Sequence, residues 1–385
     1  MQLWGIDLSF FLFGLTLVGI AVFHKHTLKI ALAGLLLLLA YKYFFTSFNF
    51  AEHLSAEWKE LLNLFGLLIG FAVLSAHVED SGVPAMLPRF LPDDWKGPLV
   101  LLVLVFILSA FLDNIAAAMI GGGVAHVVFR KKVHIGYIAA IVAASNAGGS
   151  GSVLGDTTTT MLWIAGVKAT DVLHAYVAAI PALLIFGVIA SIQQHRYQAI
   201  IKDEIPGTHI DWKRIGLCGM ILAGAITANV QFNFPALGVW VAIFVGAFVT
   251  KTDWREAREA LPGAIFLLAL VLAASVMPVE QLPAATWQTT LGLGFVSAVF
   301  DNIPLTKLAL TQGGYDWGML AYCVGFGGSM LWFGSSAGVA ISAIYPEARS
   351  VKDWLINGWH VAMAYVVSFF ILLAIMGWVP HLITK

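Results

Sequence analysis

Long apolar runs alternate with short polar ones along this sequence, and that segregation limits the fold more than any other feature. Ile30–Ala40, Leu61–Val78 and Leu99–Ala110 are too apolar for a solvated surface. A helix needs about 20 apolar residues to cross a bilayer. The 385 residues therefore hold about ten crossings and no separate soluble domain, the longest polar connection being Gln193–Arg214. Charged residues make up 11% of the chain, against about 25% in an ordinary soluble domain. No basic block suggests nucleic acid. Cys218 and Cys323 both sit in apolar runs, so neither a disulfide framework nor a zinc site is expected. The first apolar run follows Asp7 and precedes His24, Lys25 and His26, the order of a retained helix rather than a cleaved signal.

The pattern predicts helices over 8–23, 28–47, 60–78, 98–129, 134–165, 172–192, 215–231, 235–250, 260–277, 286–312, 318–345 and 356–379. Two of these are broken in mid-run, 98–129 at Asp113-Asn114 and 286–312 at Asp301-Asn302-Ile303-Pro304. A buried carboxylate beside a proline suits a simple spanning helix poorly. A re-entrant hairpin, two half-helices meeting at a tip that lines a cavity, accommodates both breaks. With the N-terminus outside and both segments as hairpins, 16 of the 21 Lys and Arg fall on the cytoplasmic side, as positive charge prefers. Full crossings would move the loops from Arg130 to Arg258 outside.

The same topology divides the chain into two five-helix halves of opposite orientation. One is 1–192, with hairpin 98–129 and broken helix 134–165. The other is 215–385, with hairpin 286–312 and broken helix 318–345. A cytoplasmic linker, 193–214, joins them. Leu112-Asp113-Asn114-Ile115 matches Phe300-Asp301-Asn302-Ile303, and the Gly148-Gly149-Ser150…Gly155 spacing recurs as Gly327-Gly328-Ser329…Gly334. Matched interruptions in two halves are the best sequence pointer to a transporter's binding site. The expected fold class is thus an all-α polytopic membrane protein, an inverted repeat with one re-entrant hairpin and one discontinuous helix per half.

Intramembrane acids are costly and usually functional. Asp113 and Asp301, with the amide oxygens of Asn114 and Asn302, offer the ligands a small hard cation needs; the plain alternative is a wetted hairpin tip. In Asn146–Thr160 four glycines fall within eight residues, which a helix sustains poorly. Unwinding is expected there, with carbonyls of Asn146, Gly148, Gly149 and Ser150 facing a cavity. Asp156, Thr157 and Thr158 open the next half-helix, where Asp and Thr cap well. A phosphate loop is excluded, since the run has no Lys and the wrong glycine spacing. The second break, around Gly327, Gly328, Ser329 and Ser335, has serines where the first has Asp156 and Thr157, so the two half-sites are unequal. Lys307 reads either as a lysine snorkelling to the interface, the favoured reading, or as a counter-charge to a buried acid. Glu79 and Asp80 read as a solvated helix end, and His77, His126 and His360 as structural.

Leu112-Asp113-Asn114, the run from Asn146 through Asp156 to Trp163, Asp301-Asn302-Ile303-Pro304-Leu305 and the glycine-serine run from Gly327 to Val339 resemble the ion transporter superfamily. Within it they are similar to sodium/proton antiporters of the NhaD type, and more distantly to arsenite exporters and dicarboxylate transporters. The resemblance covers roughly Glu79–Gly166 and Ala260–Phe370; the middle, Ile180–Glu259, carries no matching motif. It implies cation-coupled transport, a scaffold with a mobile transport unit, and homodimers.

The expected function is Na⁺ (or Li⁺) exchange for H⁺, both competing for Asp113, Asp156 and Asp301 in a bacterial inner membrane, with Na⁺ also held by Asn114 and Asn302. The alternative is sodium-coupled uptake of an organic or inorganic anion, which helix N-termini can bind, although no arginine lies in a predicted membrane segment. A channel also accommodates re-entrant hairpins but seldom needs unequal titratable half-sites. No nucleophile–base pair or metal cluster suggests an enzyme, and no cofactor beyond the transported ions is expected.

Overall fold

Backbone buried in hydrocarbon must satisfy its own N–H and C=O groups, which leaves the helix as the default for a chain of this composition. The computed structural model describes residues 2–3, 6–23, 26–46, 48–201 and 209–381. Lys25, Lys202 and Lys385, used in the charge argument, and the middle of the 193–214 linker lie outside the described residues. After a two-residue strand pair, β1 (Gln2–Leu3) with β2 (Ile6–Asp7), the described chain is helical. The helices of the first part are α1 (Leu8–Val22), α2 (Thr27–Phe45), α3 (Phe50–Asp80), α4 (Val83–Met86), α5 (Lys96–Ser109), α6 (Asn114–Val128), α7 (Ile135–Ser150), α8 (Thr157–Ile164), α9 (Ala169–Leu173) and α10 (Tyr176–Tyr197). Those of the second are α11 (Trp212–Phe232), α12 (Pro235–Gly246), α13 (Trp254–Ser275), α14 (Trp287–Ser297), α15 (Asn302–Gln312), α16 (Trp317–Gly327), α17 (Ser336–Ile344), α18 (Val351–Asn357) and α19 (Trp359–Met376).

Six of the described helical segments are long and apolar enough to cross a membrane: α2, α3, α9–α10, α11, α13 and α19. The chain is an integral, multi-pass membrane protein. Every predicted helix is present, and the four longest, 98–129, 134–165, 286–312 and 318–345, are interrupted where polar residues fall. One boundary differs markedly. α3 begins at Phe50, ten residues before the predicted start, because Asn49 caps it through Ala51 and Glu52 N–H groups. Its first turns carry Glu52, Glu57, Lys59 and Glu60, a polar stretch that reads as loop in the sequence but is helical.

α7 and α16 form the centre, with Gly136–Ser150 and Trp317–Gly327 buried throughout. α5, α6, α10 and α19 surround them in one continuous core. Two peripheral pairs pack across the chain order. α1 and α2 lie on α13 through Phe13, Leu17, Leu35, Leu38 and Leu270. α11 and α12 lie on α3, where Asn63 Oδ1 accepts from Ala236 N–H at 2.9 Å and Trp240 Nε1–H donates to Gly66 O at 2.9 Å. In lipid such contacts depend on close approach by small residues; a Cβ on Gly238 would collide with the Gly224 carbonyl.

Candidate functional site

Four helices end in the buried interior and four restart there. α5 stops at Ser109 and α6 restarts after Asp113; α7 stops at Ser150 and α8 restarts after Asp156. α14 stops at Ser297 and α15 restarts after Asp301; α16 stops at Gly327 and α17 restarts after Ser335. The four residues before the restarts are N-cap positions, three of them held by carboxylates and the fourth by Ser335. Asp113 and Asp301 share one backbone conformation, φ −53° and ψ 141°.

Asp156 ties the breaks together. It is 3% exposed, and its side chain makes no capping hydrogen bond to its own helix. Instead Oδ1 accepts from Asn114 Nδ2 and Oδ2 from Asn302 Nδ2, each at 3.4 Å. The carboxylate thus bridges the two Asp-Asn tips. Asn114 Nδ2 also donates to Asn146 Oδ1 at 2.9 Å, and Asn146 Nδ2 donates to Ser329 Oγ at 2.9 Å and Ser335 Oγ at 3.0 Å. Asp301 caps α15 through Ile303 N–H at 3.0 Å and accepts from Ser336 Oγ at 3.4 Å. Ser336 was not singled out in the sequence, although it occupies the place in the second break that Thr157 holds in the first. Thr158 is buried in the first turn of α8.

The expectation of unwound carbonyls near Asn146–Gly151 is corrected for Asn146–Ser150. These residues remain helical, and unwinding starts at Gly151. Three of their carbonyls are already engaged: Gly148 O accepts from Tyr176 Oη at 2.9 Å, Ala147 O from Ser150 Oγ at 2.8 Å and Gly149 O from Ser152 N–H at 3.1 Å. In the second break Gly327 is likewise helical, and Gly328–Met330 tightens into a 3₁₀ turn. The glycines serve packing instead. A Cβ on Gly148 would strike the Phe106 carbonyl, and one on Gly149 would lie 2.7 Å from Gly155 O. At the matching places a Cβ on Gly327 would strike the Gly294 carbonyl, and one on Gly328 would lie 2.7 Å from Gly334 O.

Two cavities touch the site. One of about 20 Å³, room for a single water-sized particle, is lined by Asp113, Asp156, Thr157, Thr160 and apolar residues of α3. The other, about 280 Å³, is lined by Asp301, Ser335, Ser336, Val339 and apolar residues of α1 and α13. Among the described residues, no Lys, Arg or His lines either cavity. Lys307 pairs with acids of α3 rather than with Asp301. It is 6% exposed at its side chain and paired with Glu57 at 2.5 Å and Glu60 at 3.2 Å on α3. Asp80, read as a solvated helix end, pairs with Arg214 at 3.0 Å.

Apolar helices with matched interior breaks, whose polar side chains meet and line cavities, are the arrangement of a membrane transporter. The citrate transporter family model matches residues 8–327. The chain belongs to that family. It is also similar to Sodium/proton antiporter 1 of Arabidopsis thaliana, 25% identical over 75% of this chain and 57% of the relative. The Na(+)/H(+) antiporter NhaD of Vibrio cholerae is 26% identical over 82% of this chain and 78% of the relative. That of Vibrio parahaemolyticus is 27% identical over 62% and 71%. The chain thus spans less than two thirds of the Arabidopsis protein's length.

Proposed function

We propose that the chain exchanges Na⁺ (or Li⁺) for H⁺ by alternating access, with Asp113, Asp156 and Asp301 taking up cation and proton competitively. The observation that carries this is the bridge made by Asp156 between Asn114 and Asn302. Four helix N-termini converge there, and each favours a nearby negative charge. The protein's own carboxylates fill three of the four cap positions, so the negative charge those dipoles call for is already present. What remains is an oxygen-rich site suited to a small cation. Occupation by sodium excludes the proton and the reverse, which is enough to couple the two fluxes. The names of the antiporter relatives agree with this reading.

A second reading, sodium-coupled anion uptake, is favoured by the family's description as citrate transporters. A polycarboxylate would meet three Asp carboxylates, and among the described residues neither cavity offers a basic side chain. Purified protein in liposomes with an internal pH dye separates the two. Proton flux on adding Na⁺ or Li⁺, with none on adding K⁺ or citrate, is expected. Citrate accumulation driven by sodium, without proton release, would establish the anion reading.

The same reading takes 1–192 and 215–385 as inverted repeats joined by 193–214, with ten crossings, two re-entrant hairpins and the N-terminus outside a bacterial inner membrane. Supporting it, Ser109 Oγ donates to Ser145 O at 2.5 Å, and Ser297 Oγ donates to Val324 O at 2.7 Å in the matching place. The crossed packing of α1–α2 on α13 and α11–α12 on α3 is what such halves would make. A homodimer joined through early helices of each half, with the hairpins facing away, completes the proposal. Mass measurement in native membranes showing only monomers would remove that part.

A further inference from the structure

The two cavities occupy matching places in the two parts of the chain. Asp113, Asp156, Thr157 and Thr160 stand to one as Asp301, Ser335, Ser336 and Val339 stand to the other. Their volumes are about 20 Å³ and 280 Å³. The smaller leaves room for one water-sized particle, the larger for several. Apolar side chains crowd the smaller one. Leu64 of α3, Met161 of α8, Val271 of α13 and Ile303 of α15 form a separate buried apolar cluster. Above that cluster, toward the N-terminal end of α3, Lys307 of α15 is held between Glu57 and Glu60. The position matching Lys307 in α6 is Met119, by the spacing that relates Asp301 to Asp113. Among the described residues, the side of the larger cavity has no such ion pair at its matching place.

We infer that the Lys307–Glu57–Glu60 cluster is a latch, which joins α15 to α3 and keeps the route on the α3 N-terminal side shut in this conformation. A buried ammonium that loses its partners must find others or water, so the pair resists separation of the two helices until α15 moves as a unit. The apolar cluster excludes water from the route, and the ion pair holds the helices that form the cluster together. Opening this route during transport then requires the latch to part. The latch also gives the cycle a defined resting side. This inference rests on alternating access at the paired breaks but not on the identity of the transported ion.

The test is thiol labelling with a membrane-impermeant maleimide, applied from each side in turn, on full-length protein in sealed vesicles. Native Cys218 and Cys323 are both buried, and the unsubstituted chain supplies the background. Met161→Cys reports the latched route and Val339→Cys the larger cavity. Adding Lys307→Met should raise labelling at Met161→Cys from the α3 N-terminal side by roughly tenfold. It should lower labelling at Val339→Cys from the other side. Lys307→Glu with Glu57→Lys should return both rates toward those of the unlatched variant's parent. If Lys307→Met does not fold, Glu57→Gln with Glu60→Gln asks the same question from α3. Unchanged rates at both reporters in a folded variant overturn the latch and leave a structural ion pair. Labelling of both reporters from one side only would instead overturn alternating access itself.

Discussion

Asp156→Asn perturbs the site most informatively. The two carboxylate oxygens accept separately, one from Asn114 and one from Asn302, at 3.4 Å each. An asparagine keeps one oxygen and turns the other into an NH₂ group that faces another NH₂. A buried donor left unpaired costs about 1–3 kcal/mol. Losing the negative charge near a helix N-terminus adds about 0.3–1 kcal/mol. The sum is well inside the margin of about 5–15 kcal/mol typical of a folded protein, so the variant should fold with a lowered Tm. Its transport defect should be of another order. Ser335 holds the equivalent place and cannot titrate, so no duplicate compensates. Sodium-driven proton flux in liposomes should fall to background, while Asp156→Glu should retain some flux with a displaced pH profile. Dispersity on a sizing column controls for folding. A well-folded Asn variant that exchanges at the normal rate would refute the reasoning and move the coupling to Asp113 and Asp301.

Gly155→Ala should be severely disruptive, because its Cβ would collide with the Ser109 carbonyl, whereas Gly123→Ala has nothing within 4 Å. Overpacking of this kind costs about 1–3 kcal/mol or more, while Ala gains about 1 kcal/mol over Gly in a helix; equal Tm values for the two variants would contradict the packing argument. Asn146→Ala removes hydrogen bonds to Asn114, Ser329 and Ser335 at once. It should lower Tm by several degrees and raise the half-saturating sodium concentration, and an unchanged sodium dependence would separate Asn146 from the site.

The breaks were legible because glycines, prolines and carboxylates have no ordinary place in an apolar run, and they fall where helices stop at Ser109, Ser150, Ser297 and Gly327. The tips' partners were not legible. Asn146 reaches Ser329 and Ser335 across 183 and 189 residues, and periodicity says nothing about such pairings. The glycine run reads first as conformational freedom, with close helix packing as the plain alternative, and it is the alternative that Gly148 and Gly149 bear out: both are helical and let neighbouring backbones approach. The start of α3 was missed for a similar reason. Glu52–Glu60 looks like a solvated connection until the chain is folded, when Lys307, 250 residues beyond Glu57, is found paired with it. Lys307 is buried against two acids of another helix, a pairing that sequence spacing does not reveal.

The central claim is that sodium and protons compete for the same carboxylates. Competition requires binding alone to displace protons, with no gradient and no sealed membrane. Calorimetric titration of detergent-solubilised protein with NaCl, repeated in buffers of different ionisation enthalpy, counts the protons released per sodium bound. The account predicts release of protons on Na⁺ binding, its loss in Asp156→Asn, and no release with citrate. Sodium binding with no protons released, or a citrate-specific signal of the same size, would contradict it.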